Sequence, residues 1–312
     1  MAYEHPLAYV LGLEGIALLR AFAGEHDRDF VDARIAEIRR VLADHAFEGV
    51  DVEHLSTVDG YRIWSATYDN PDNPAFDFDE GIVRAVAGTV PHGVALDAAC
   101  GTGRVAAMLA DCGHRVIGVD NSAEMLAHAE KRLPRADFRP GELQQLPVET
   151  DGVDVVVCSL ALTHVPDLAP VFGEFARVLR PGGHLVIADI HPEQVARSRV
   201  PAIRGADGAA GRVRSYHHRT GDYVRAGIDA GLAIRSCDEP VTASPLRDRT
   251  ADPGPWEAWP WSLDLLAPEA AHAAHLGVPS MILWHWQAPA TTALDSANAS
   301  TRRRPGPRRS TM

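Results

Sequence analysis

The stretch Val94–Asp120, VALDAACGTGRVAAMLADCGHRVIGVD, decides the fold. A short apolar run, Val94 to Leu96, ends at Asp97, and Cys100-Gly101-Thr102-Gly103 turns the chain into a helix with Val105, Met108 and Leu109 on one face. A second strand, Val116 to Val119, stops at Asp120. Glycines without Cβ atoms allow a sharp turn and let a ligand lie against backbone N–H groups at a helix N-terminus. An acid that ends the next strand can accept both hydroxyls of a ribose. The pattern predicts a nucleoside site at the carboxyl edge of a parallel sheet.

Two nucleoside ligands are compatible with the turn. Gly101 to Ala106 satisfies the loose dinucleotide fingerprint, with Asp120 17 residues past Gly103. Asp97 argues against it, because an acid ahead of the glycines repels a pyrophosphate and holds an ammonium. With Asp97, the stretch resembles motif I of the class I S-adenosylmethionine-dependent methyltransferases, in their small-molecule, UbiE- and methyltransferase-11-like group.

Further segments carry the resemblance onward. Ala66-Thr67-Tyr68-Asp69-Asn70-Pro71 is similar to the segment that closes over the cofactor in relatives, and Gly141-Glu142-Leu143-Gln144-Gln145-Leu146-Pro147 to the family's G-D-x-x-x-L-P. Glu142 stands where the family has Asp, one methylene longer. Leu179-Arg180-Pro181-Gly182-Gly183 resembles the turn that precedes the family's fifth strand. Lys131 is the only lysine, so the Tyr-x-x-x-Lys pair of short-chain dehydrogenases cannot be built. The resemblance covers Tyr61 to Ile190. It implies S-adenosylmethionine as cofactor, S-adenosylhomocysteine as product, and a cofactor site of Tyr68, Asp97, Cys100, Gly101, Gly103, Asp120, Asn121, Met125, Glu142, Leu143 and Ser159. In it Met125 lies against the adenine, and Glu142 accepts from the adenine amino group.

The implied fold is a Rossmann-like α/β domain: a seven-stranded, mostly parallel sheet with an antiparallel last strand, preceded by an N-terminal helical segment. Residues 1–55 form that segment and residues 56–289 the methyltransferase domain, with an insertion at 238–280 and a disordered tail at 290–312. Helices are expected over Pro6–Ala23 and Asp27–Ala43, the second with an apolar face of Val31, Ile35, Ile38 and Leu42. That face is covered either by its own domain or by a second copy, and a homodimer is the reading carried forward.

Composition bounds the partners. The chain has 312 residues, 46% hydrophobic, with a formal net charge of −12, which disfavours a nucleic-acid partner. Four scattered cysteines suggest neither disulfides nor zinc, and the apolar stretch Leu7 to Phe22 is too short to span a bilayer. A cytoplasmic enzyme of secondary metabolism with no membrane partner is the expectation. Strand four lacks both the Pro-Pro-aromatic tetrad of DNA amino-methyltransferases and the metal-binding Asp of catechol-type enzymes, so no metal is expected.

S-Adenosylmethionine already contains its leaving group, so the protein's remaining task is to align the acceptor and, for a hydroxyl, to remove its proton. His164 and His191 end strands four and five and are the candidate bases. Tyr61, Trp64, Trp256, Trp259 and Trp261 are the expected substrate pocket, with the tryptophan-rich insertion as an aromatic lid. Three functions stay open: O-methylation of a small molecule with a histidine base, C- or N-methylation without one, and cofactor binding without transfer.

Overall fold

The computed structural model describes residues 2–43, 47–65, 68–69, 76–204, 208–242 and 245–290. Its elements in chain order are β1 (Ala2–Glu4), α1 (Pro6–Phe22), α2 (Arg28–Ala43), β2 (Val50–Leu55), α3 (Thr57–Trp64), α4 (Phe76–Ala87), β3 (Val94–Ala98), α5 (Arg104–Asp111), β4 (Arg115–Asp120), α6 (Ala123–Arg132) and β5 (Asp137–Pro140). There follow β6 (Val153–Ser159), α7 (Leu168–Val178), β7 (Leu179–Ile190), α8 (Pro192–Ala196), β8 (Ala202–Arg204), β9 (Ala210–Val213), α9 (Thr220–Asp229), β10 (Ala233–Asp238), α10 (Pro268–His275) and β11 (Met281–Gln287). The expected disordered tail lies, from residue 291, outside the described residues.

The main sheet has the strand order β10-β11-β7-β6-β3-β4-β5, with β11 antiparallel to both neighbours and β3 through β7 parallel. This is the sheet expected from the sequence. Its central strands are apolar apart from Asp97 in β3, Asp154 in β6 and the ends of β7, because helices cover both faces, and β3 is buried at every position. α7 supplies one face with Val171, Phe172, Phe175 and Val178, all fully buried. The order reverses at β3 and β6, which opens a crevice at their carboxyl ends. β7 begins at Leu179, inside the turn expected to precede that strand, because Leu179 already pairs with Val153 ahead of a register shift.

A second sheet, β1-β2-β9-β8, was not expected. It joins the first 55 residues to the segment after α8, so the N-terminal part is not wholly helical. With α1, α10 and the insertion it encloses a second core of Val10, Leu13, Ala17, Val52, Trp256 and Trp259, among others.

The expected apolar face of α2 is corrected. Arg34, Glu37 and Val41 are its buried residues, while Ile35 and Leu42 are exposed. Ion pairing inverts the pattern: Arg34 reaches the buried Glu14 of α1 and Glu269 of α10, and Glu37 takes Arg40 and Arg249. Burial drives the Glu14 carboxyl up to about 7 against the opposing pull of Arg34. No described helix is long and apolar enough to cross a membrane.

Candidate functional site

The glycine turn leaves β3 through left-handed backbone at Ala99 (φ 60°), Gly101 (φ 51°) and Gly103 (φ 77°). At Gly103 a Cβ would also stand 3.0 Å from the Ala129 methyl on α6, so helix packing and dihedral angle both require glycine. Two amides fix the acid at the end of β4: Gly101 N–H donates to Asp120 Oδ2 at 2.8 Å and Ser122 N–H to Oδ1 at 2.9 Å. Burial raises the Asp120 carboxyl while these amides lower it. Beneath the turn Asp97 is 1% exposed. It accepts from the Ala106 amide, and its Oδ2 has no partner. Burial pushes its carboxyl up to about 7. A buried acid with an unsatisfied oxygen calls for a donor, and a cationic one most of all.

A cleft of about 220 Å³ opens over the turn. It is bordered by Gly101, Asp120, Asn121, Glu142, Leu143 and Gln144. Asn121 Nδ2 lies 3.3 and 3.1 Å from the two Glu142 oxygens, which anchors the longer acid at the rim. Ser159 also lines the cleft, and its hydroxyl donates to the buried Asp79, which is paired with Arg104.

Aromatic and apolar residues complete the lining. Thr57 and Tyr61 come from α3, and Tyr68 sits beside Tyr61 with ring centroids 5.9 Å apart. After β6, Leu160 takes φ 56°, strained for a branched side chain, and a 3-10 turn over Leu162–His164 follows. This turn presents His164 to the cleft, edge-on to Tyr61 at 5.7 Å. His164 Nδ1 lies 2.9 Å from the Arg214 carbonyl oxygen, so it carries the proton and Nε2 is left as an acceptor. Desolvation lowers the His164 pKa, so the neutral form dominates at pH 7. The small sheet places both partners, since β2 leads into α3 and β9 into Arg214.

Of the residues expected at the site, the structure brings Tyr61, Tyr68, Gly101, Asp120, Asn121, Glu142, Leu143, Ser159 and His164 to one cleft. Asp97, Cys100, Gly103 and Met125 do not line it. Asp97 and Gly103 shape the turn from behind, Cys100 is buried, and Met125 is fully buried. Trp64 stands behind Tyr61, ring edge to face at 5.2 Å.

His191 is corrected as a candidate base. Its Nδ1 accepts from Glu193 N–H as the N-cap of α8, its Nε2 lies 3.1 Å from Glu239, and it does not border the cleft. The tryptophan lid is likewise corrected. Trp256 and Trp259 pack edge to face at 5.2 Å inside the second core, where the Arg212 guanidinium lies 4.8 Å from the Trp256 ring. Trp261 is 41% exposed beside Arg199, and none of the three borders the cleft. Sequence reasoning missed Thr57, Leu160, Val165 and Pro166 as lining residues, and only the proximity of the last three to His164 pointed to them. Among the described residues no three His, Cys, Asp or Glu converge to hold a metal ion.

The chemistry of the cleft suits a nucleoside with a cationic arm. Among the cleft residues Asp120 can accept from ribose hydroxyls and Glu142 from an exocyclic amine, and with the buried Asp97 behind the turn they favour an ammonium over a pyrophosphate.

Comparison with known proteins agrees with this reading. Residues 96–187 match the family model described as a methyltransferase domain. A probable S-adenosylmethionine-dependent methyltransferase of Mycolicibacterium smegmatis is 43% identical over 93 residues, 30% of this chain and 36% of that protein. The chain therefore spans about a third of that relative's length. An uncharacterized methyltransferase of Emericella nidulans is 27% identical over 60% of this chain and 79% of its own length. Among solved structures, a chain from the complex between the Haloferax volcanii Trm112 methyltransferase activator and a methyltransferase shares the fold. Its TM-score is 0.54 at 22% identity, covering 76% of this chain and 99% of that chain.

Proposed function

Since this chain carries a class I S-adenosylmethionine-dependent methyltransferase domain, we propose that it methylates the hydroxyl of an uncharged small molecule, with His164 as general base. The observation that carries the proposal is the His164 imidazole, held at Nδ1 by the Arg214 carbonyl with Nε2 as acceptor, in the cleft bordered by Asp120.

When bound, S-adenosylmethionine supplies a methyl group on a sulfonium, a leaving group that needs no further activation. The chain's own residues do the rest. Asp120 would accept from the ribose hydroxyls, Glu142 from the adenine amine, and Asp97 would be the counter-ion of the ammonium. Beside His164, Tyr61 supplies an aromatic wall that excludes water and orients a flat substrate, with Tyr68 next to it and reaching the glycine turn. A neutral imidazole beside that wall can take the hydroxyl proton as the oxygen attacks. Thr57, Tyr61, Leu160, Ala161, Val165 and Pro166 carry no formal charge at neutral pH, which favours an uncharged acceptor over a phosphorylated or carboxylated one.

The homodimer expected from the sequence is part of this proposal. Leu19 and Phe22, 70% and 93% exposed at the end of α1, support it, and a monomer in sedimentation velocity would remove it.

The test is to incubate the protein with S-adenosylmethionine and a panel of neutral phenols and alcohols, following S-adenosylhomocysteine and the methylated product by mass spectrometry. Product from a hydroxyl acceptor that His164→Gln abolishes supports the proposal. Methylation only at carbon or nitrogen, insensitive to that substitution, overturns it, as does tight cofactor binding with no transfer to any acceptor.

A further inference from the structure

If His164 is the base, as proposed above, its imidazole must be held in one direction, and the buried acid behind its turn is placed to do so. Asp189, at the end of β7, is fully buried and does not border the cleft. Its carboxylate accepts from four donors. Thr163 N–H approaches Oδ2 at 2.7 Å and the Thr163 hydroxyl approaches Oδ1 at 2.9 Å. Ile190 N–H donates to Oδ1 at 2.9 Å, and the Tyr223 hydroxyl of α9 to Oδ2 at 3.1 Å. Thr163 is the residue before His164, and its own carbonyl accepts from Tyr216 N–H at 2.7 Å. Every polar group of Thr163 is thus engaged. On the other side of the turn, Leu160 N–H donates to the carbonyl of Ala188, the residue before Asp189, at 2.7 Å.

We propose that Asp189 is a positioning residue for His164: through both donors of Thr163 it fixes the 3-10 turn, and with it the imidazole's direction into the cleft. Burial raises the Asp189 carboxyl, the converging donors pull it back down, and the four hydrogen bonds together give the turn one geometry. A hydrophobic residue in this place would fill the volume but leave Thr163 N–H free to pair elsewhere. The groups facing His164 are Tyr61 from α3, the Arg214 carbonyl after β9, and the Asp189 charge from β7, while His218 holds the next carbonyl, that of Val165, at 2.6 Å. Asp189 is the one among them that acts on both position and charge, because its negative charge also favours the imidazolium.

The experiment is nitrogen-15 NMR of the histidine rings in the full chain with S-adenosylhomocysteine added, His164 being assigned by its loss in His164→Gln. In Asp189→Asn, one acceptor is kept and the charge is lost. The expected result is a folded protein with cofactor-product affinity within about twofold of the parent. His164 should titrate lower by about half a pH unit or more, with a changed balance of its two neutral tautomers. A folded Asp189→Asn whose His164 titrates and tautomerises as in the parent overturns the proposal. If Asp189→Asn does not fold, Thr163→Val and Thr163→Ser decide. Valine should alter the His164 signals and serine restore them, whereas equal spectra from the two overturn it. Because the readout needs no acceptor, its failure is separate from that of methyl transfer: a responsive His164 in a protein that forms no methylated product leaves the positioning role standing.

Discussion

The Gly101 amide donates to the Asp120 carboxylate across 2.8 Å, tying the middle of the glycine turn to the acid that ends the neighbouring strand. A single side chain therefore shapes the turn and remains available to a ligand, since each carboxylate oxygen has a second lone pair. Asp120→Ala should weaken S-adenosylhomocysteine binding in calorimetry by about 1 to 3 kcal/mol, from lost hydrogen bonds to a charged acceptor. Tight NAD binding with no binding of S-adenosylmethionine would show that the cleft had been misassigned.

Asp97 gives the site a pH dependence whose sign is fixed. Its carboxyl is raised to about 7 in the ligand-free fold, well above its ordinary value. Any stability it contributes is present at low pH and is lost as pH rises towards 7. Binding an ammonium needs the ionised form. Cofactor affinity should therefore be level above pH 7 and fall by about tenfold per unit below it, as a proton must leave Asp97. Asp97→Asn should bind weakly at pH 8 and lose that slope. Calorimetry between pH 5.5 and 8.5 measures both, and an unchanged slope in the variant refutes the assignment.

The main sheet was legible because strands covered on both faces are largely apolar, and the place of Gly101, Asp120 and Glu142 in the cleft because they lie at fixed offsets from those strands. The small sheet was not. Ala2–Glu4, Ala202–Arg204 and Ala210–Val213 are too short to carry a period, and β2 pairs with β9 far along the chain. Arg34 and Glu37 defeated the pattern on α2 because paired charges can occupy a buried face that periodicity assigns to apolar residues. His191 shares with His164 a place at a strand's carboxyl end, and only geometry separates an N-cap from a cleft residue.

The tryptophans offer a test of the second core. Trp259 is 5% exposed, with its Nε1 donating to the Gly254 carbonyl at 3.4 Å. Trp259→Ala should cost about 3 to 5 kcal/mol and lower the melting temperature by roughly 10 °C. Since the residue does not border the cleft, the folded fraction should keep parent affinity for S-adenosylhomocysteine. A variant that melts normally yet loses substrate affinity would restore the lid.

The decisive kinetic prediction concerns His164. Substitution by glutamine keeps a planar group of similar size and removes the base, so S-adenosylhomocysteine affinity should stay within about twofold while turnover on a hydroxyl acceptor falls by about 100- to 10,000-fold. The loss should appear equally in kcat and kcat/KM, because a base acts in the transition state and adds little to ground-state binding. The pH profile gives an independent handle. Desolvation lowers the His164 pKa, so the neutral, proton-accepting form persists to pH values below the ordinary histidine range. Turnover in the parent should be flat at neutral pH and decline only on further acidification, once the contribution of Asp97 to cofactor binding has been removed by saturating cofactor. The glutamine variant should lack that decline. A parent enzyme whose turnover instead keeps rising from pH 7 to 9 would point to an acceptor that ionises in solution before it reacts, and His164 would then be a wall of the pocket rather than its base.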